Sequence, residues 1–180
     1  MRPARRLQIK HEAQGLLRKA HVAKPPVPVE RIAQLLGVNV SRGHLKDSDV
    51  SGFYFRRGDD RIIGVNASHP PTRQRFTIAH EIGHAILSTH DSLHVDRAFK
   101  LRDKRSASGI DPFEIEANAF AAELLIPEHM LVERLRKRGG LDLDDAKAIQ
   151  ALANEFGVSS QALIIRILDL PHVVTSNDPW

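Results

Sequence analysis

RQRFTIAHEIGHAILSTH, running from Arg73 to His90, carries more structural information than any other stretch of this chain. At its centre stands His80-Glu81-Ile82-Gly83-His84, with the two histidines four residues apart. On an α-helix, side chains at that spacing share a face, so both imidazoles can reach one metal ion. Glu81 stands about 100° round the helix from His80. There it can take a proton from a metal-bound water without being a ligand itself. An HExxH motif on a helix therefore points to zinc-assisted hydrolysis of a peptide bond.

The pentapeptide alone is a weak signal, and its flanks strengthen it. Pro70-Pro71-Thr72 reads as a helix start, with Thr72 as the candidate N-cap. Phe76, Ala79, Ile82, Gly83, Ile86 and Leu87 recur at helical spacing, which predicts a buried amphipathic helix. Gly83 inside that helix costs about 1 kcal/mol relative to Ala. A close backbone approach beside the metal would account for it. Two imidazoles on an apolar face need polar partners, and a metal meets that need.

Catalytic zinc takes three protein ligands and a water. Two candidates compete for the third place. His90 follows His84 by six residues, as in the pattern HExxHxxGxxH, but Leu87 stands where that pattern needs glycine. If the helix continues, His90 faces away from His84. The second candidate is a carboxylate in DPFEIEANAFAAELL, Asp111 to Leu125. Glu114 and Asn118 are four apart, with Ala121 and Leu125 continuing their face. A helix approaching through small residues could present Glu114 to the metal and Asn118 to a ligating histidine. Glu114 is preferred to Glu116. Glu116 and Glu123 fall on another face and are expected to be solvated.

Composition bounds the remaining choices. A chain of 180 residues, 42% of them hydrophobic, can build one domain with a sizeable core. There is no cysteine, which excludes a disulfide scaffold, thiolate ligands and a cysteine nucleophile. Zinc must then be held by histidines and carboxylates. The basic start, MRPARRLQIK, has no hydrophobic signal core, and no apolar run approaches the roughly 20 residues of a membrane span. A cytoplasmic location with no membrane partner is expected. A net charge of +4 permits nucleic-acid contact without requiring it, and solvated basic faces explain it equally well.

Along the chain, residues 5–22 read as a helix with His11 and His21 on its surface, and Lys24 to Pro28 as an extended linker. Val29 to Leu36 is a short helix stopping at Gly37. Val50 to Phe55 and Arg61 to Asn66 form a β-hairpin about the turn Arg57 to Asp60, with a third strand near Val38–Val40. Ile62 to Asn66 is the candidate edge on which an extended substrate would add a strand. Asp91 to Gly109 is read as a polar surface loop. Helices follow at 111–125, Glu128 to Arg138, Asp144 to Phe156, and from Ser159 or Ser160 to Leu168, before a frayed tail. This is an α+β chain: an N-terminal helix at 1–24, a core at 25–138 and a C-terminal helical segment at 139–180. Within that segment, Ile149 to Ile167 has a helix–turn–helix outline. Its second helix offers few groups to read bases, so a structural pair is preferred to a DNA contact. Tyr54, His94 and His129 are candidate oxyanion stabilisers.

Taken together, RQRFTIAHEIGHAIL and EIEANAFAAELLIP resemble the ImmA/IrrE family of metallopeptidases. The resemblance covers roughly residues 25–170. It implies a zincin-like, thermolysin-like core with appended helices. By it, zinc is held by residues matching His80, His84 and Glu114, with Glu81 as general base; manganese also suits such a site. It further implies a biological role. Such a protein cleaves or inactivates a partner helix-turn-helix (Xre-type) repressor or antitoxin, which switches on stress, mobile-element or toxin–antitoxin genes. The chain ends at Trp180, so no C-terminal sensor domain is expected. The alternative is a metal-containing binding module that grips a partner, or DNA, without hydrolysis.

Overall fold

The computed structural model describes residues 1–45, 47, 49–87, 93–97 and 111–170, with the main chain alone at 93–97. The described residues form α1 (Pro3–Lys19), α2 (Val29–Leu35), β1 (Asn39–Gly43), β2 (Val50–Arg57), β3 (Asp60–Asn66), α3 (Pro71–Leu87), β4 (Leu93–Arg97), α4 (Pro112–Leu125), α5 (Glu128–Arg138), α6 (Ala146–Phe156) and α7 (Ser160–Leu168). The fold is α+β, mostly helical, with one small sheet. None of these helices is long and apolar enough to cross a membrane.

Local chemistry sets the boundaries. Pro3, Pro71 and Pro112 each open a helix, where a missing N–H costs nothing. Helix α3 therefore starts one residue before Thr72, which lies in its first turn rather than at the N-cap. Asp111 caps α4 by accepting a hydrogen bond from the Phe113 N–H. Asp145 and Ser159 cap α6 and α7 in the same way. Gly157 closes α6 at φ +65°, a conformation that a side chain would strain.

The sheet differs from the expected three strands. Its order is β1-β3-β2-β4. β2 and β3 form the expected antiparallel hairpin, with Arg57 opposite Asp60. β1 runs parallel to β3, pairing Asn39 with Ile62 through Gly43 with Asn66. The fourth strand, β4, lies in the stretch expected to be a loop and pairs antiparallel with β2. β3 is consequently an interior strand, not the free edge expected of Ile62 to Asn66; the edges are β1 and β4. β3 is paired on both sides, parallel to β1 and antiparallel to β2, and its second half, Ile63 to Asn66, is buried.

Helix α3 lies against β2 and β3, α4 packs on α3, and α1 packs on α4. Ile63, Val65 and Tyr54 from the sheet meet Ile78 and Ile82 of α3 and Phe120 and Leu124 of α4 in one core, which Phe156 and Leu163 extend. At Gly83 α3 and α4 approach each other closely. A Cβ there would sit 3.2 Å from the Ala117 Cα and 3.2 Å from Phe120 Cδ1. The close backbone approach expected at Gly83 is the seam between these two helices.

Candidate metal centre

His80 and His84 lie on the face of α3 that meets α4; with Glu81 beside them, their exposures are 1%, 4% and 0%. From α4, Glu114 reaches the same point. His80 Nε2 and His84 Nε2 are 3.0 Å apart. Glu114 Oε2 is 3.3 Å from His80 Nε2, and Glu114 Oε1 is 3.3 Å from His84 Nε2. Among the described residues these three form the group able to hold a metal ion. Four ligands at about 2.0–2.1 Å round a tetrahedral zinc stand roughly 3.3 Å from one another. The imidazole pair at 3.0 Å and the two imidazole–carboxylate contacts at 3.3 Å, one to each oxygen of Glu114, are near that spacing, and two imidazoles with one carboxylate suit zinc or manganese. The residues present fit the ion.

The orientation of His80 is fixed from α4. Its Nδ1 lies 3.0 Å from Asn118 Oδ1. An amide oxygen only accepts, so Nδ1 carries the hydrogen and the Nε2 lone pair faces the centre. On the other side, the Phe76 ring stacks on the imidazole at 6.1 Å between centroids. Glu114 and Asn118 are one turn apart on α4, so a single helix supplies a carboxylate to the centre and an acceptor to one of its histidines.

Other expected residues fall differently. His90 and the stretch 98–110 lie outside the described residues. Tyr54 is buried at 2% exposure and stands in register with His94 across β2 and β4. It projects from the same face of β2 as Gly52, whose Cβ would strike Thr77 of α3. His129 starts α5, beyond the far end of α4 from Glu114, roughly 16 Å or more along the helix. It lines a separate groove of about 530 Å³ with Lys10 and Gln14. None of the residues lining that groove belongs to the metal group.

Glu116 and Glu123 are not solvated as expected. Glu116 accepts two hydrogen bonds from Arg5 of α1, at 2.9 and 2.7 Å, and this pairing holds its carboxyl below the ordinary range. Glu123 is 4% exposed and ion-paired with Arg166 of α7, itself 6% exposed. Helical periodicity placed both glutamates away from α3 correctly; the other face of α4 is simply covered by α1 and α7. Sequence reasoning also missed Arg75 of α3, which donates to Val27 O at 2.8 Å and Gly157 O at 3.0 Å. Both partners are main-chain oxygens, which leave no mark in sequence.

A helix-borne histidine pair met by a carboxylate from a second helix is a ligand set that zinc metallopeptidases use. The IrrE N-terminal-like domain, a peptidase family, matches residues 33–168, and the chain belongs to that family. The chain is 27% identical over 147 residues to an uncharacterized immunity region protein of Bacillus phage phi105, covering 82% of this chain and 85% of that one. It is 32% identical over 111 residues to the radiation response metalloprotease IrrE of Deinococcus radiodurans, covering 62% of this chain. The aligned stretch is 32% of that protein, so the chain spans about a third of its length. Among solved structures, a Mycobacterium tuberculosis transcriptional regulator shares the fold, with a TM-score of 0.60 at 17% identity over 92% of this chain and 48% of that one.

Proposed function

We propose that this chain is a zinc-dependent endopeptidase with a zincin-like, thermolysin-like core, and that it cleaves a partner helix-turn-helix repressor or antitoxin. The observation that carries this reading is the convergence of His80 Nε2 and His84 Nε2, 3.0 Å apart, on the Glu114 carboxylate, each 3.3 Å from one of its oxygens. In this reading those three residues hold the metal. Bound there, zinc acidifies a water and polarises the scissile carbonyl. Glu81 takes the proton of the attacking water and hands it to the leaving amine. Asn118 keeps the His80 Nε2 lone pair aimed at the centre.

A protein partner suits the surface better than DNA does. The second helix of the helix–turn–helix outline, α7, buries its one arginine and exposes Ile165 and Leu168, at 60% and 69%. Apolar side chains do not neutralise phosphates. The phage relative is named for an immunity region, and the structural relative is a transcriptional regulator; both support a link to repression. The cytoplasm, where such a repressor works, is the proposed location.

The test is Glu81→Gln. It should keep zinc content and fold while abolishing cleavage of the cognate repressor. Undiminished cleavage by the pure variant would sink the mechanism.

A further inference from the structure

The helix–turn–helix outline of α6 and α7 has no role in the reading above. Its contacts supply one. Helices α3 and α4 run antiparallel: His84 faces Glu114, and His80 faces Asn118. Continuing that register five residues further brings Arg75 of α3 level with Glu123 of α4. Both are held by the same helix pair. Arg75 donates to Gly157 O, in the turn between α6 and α7. Glu123 pairs with Arg166 of α7, whose Nε also donates to Ile126 O at 3.1 Å, just past the end of α4. The turn is shaped for this grip: a Cβ on Gly157 would lie 2.9 Å from Arg75 Nε.

We infer that α6 and α7 form a clip that fixes the spacing of α3 and α4 at the metal centre, with Arg75 and Arg166 as positioning residues. The inference rests on the zinc-site reading above. The clip closes the helix pair five residues, about 7 Å, from the level of His80 and Asn118. The ligands straddle the seam, two from α3 and one from α4. Any change in helix separation therefore changes the His–Glu distances directly. Burying two charges at 4% and 6% exposure is a poor way to add stability, because desolvation offsets most of the attraction. It is an effective way to fix one geometry, since the guanidinium fork admits few arrangements.

The full chain is the material for the test. Zinc affinity is measured by chelator competition, and ligand geometry by the visible spectrum of the cobalt-substituted protein. Urea unfolding is followed alongside. In E123L/R166M the buried ions give way to apolar groups of similar bulk, which retain packing and cooperative folding. Arg166→Lys keeps the charge but loses the fork, and Arg75→Met releases the turn. Each variant should unfold cooperatively, bind zinc about tenfold more weakly and show an altered cobalt spectrum, with R166K the mildest. Wild-type affinity and spectrum in cooperatively folded E123L/R166M and R75M would overturn the clip. A wild-type protein that binds no zinc would instead overturn the site reading.

Discussion

The amide oxygen of Asn118 lies 3.0 Å from Nδ1 of His80, across the seam between α3 and α4. Partners of this kind orient a ligating imidazole, and losing one typically weakens metal binding about 10- to 100-fold. Asn118→Ala should do so with little change in the unfolding midpoint of the metal-free protein, because Asn118 is exposed on α4. Asn118→Asp keeps the acceptor and should bind zinc at least as tightly. Chelator competition checks both; equal affinity of Asn118→Ala and wild type would remove Asn118 from the site.

Gly83→Ala tests the seam. Alanine gains about 1 kcal/mol in helix propensity over glycine. Its Cβ, however, meets the α4 backbone at Ala117, 3.2 Å away, where a flexible side chain could have yielded and a main chain does not. Overpacking of this sort costs about 1–3 kcal/mol. The net should be a loss of up to about 2 kcal/mol in urea unfolding, with weaker zinc binding because α4 carries Glu114. A variant more stable than wild type with unchanged zinc affinity would contradict the close approach.

Metal should also be a stability ligand. A ligand that binds the folded chain alone, at 100 times its Kd, adds about 2.7 kcal/mol. Stripping zinc with a chelator should lower the melting temperature of wild type. Glu114→Ala, lacking one of the three, should respond far less. Scanning calorimetry with and without chelator reads the difference, and identical responses would show that Glu114 is not a ligand.

Acid should loosen α1 from α4. The Arg5 guanidinium holds Glu116 below the usual carboxylate range. A carboxyl whose folded pKa is depressed contributes stability that is present above its unfolded pKa, near 4.5. That contribution fades as pH falls through the lower folded value. Glu116→Gln should therefore unfold more easily than wild type at neutral pH and match it once pH is well below 4. A gap that persists unchanged in acid would point to lost packing instead of lost charge.

Much of this was legible in the sequence because it is local. The start at Asp111-Pro112, the serines before α7 and the glycine stops mark those helix ends within a residue or two, whereas α6, expected from Asp144, begins at Ala146 behind its cap Asp145. The three residues of the metal group follow from two motifs, HExxH and the Glu114–Asn118 face, each readable by helical spacing. What was illegible is what depends on partners remote in sequence. Strand order is such a case: Ile62 to Asn66 has the same residues whether central or marginal, and only the parallel pairing with β1 settles it. β4, with the residues LHVDR in a polar neighbourhood, owes its place to β2 rather than to propensity. Glu116 and Glu123 were placed on the right face, but nothing near them announces Arg5 or Arg166.

Arg75 has a consequence for how this chain can change. Both of its acceptors, Val27 O and Gly157 O, belong to the main chain. The arginine thus recognises the path of two loops and is blind to their side chains. Substitutions at the exposed positions of the proline-rich linker and the turn should be tolerated wherever the path is kept. Gly157 is the exception, since its φ of +65° and the guanidinium against it leave no room for a side chain. A library randomised over these two loops, selected only for folding, should return variety at the exposed positions while keeping Gly157, the buried Val27 and Val158, and the α7 cap Ser159.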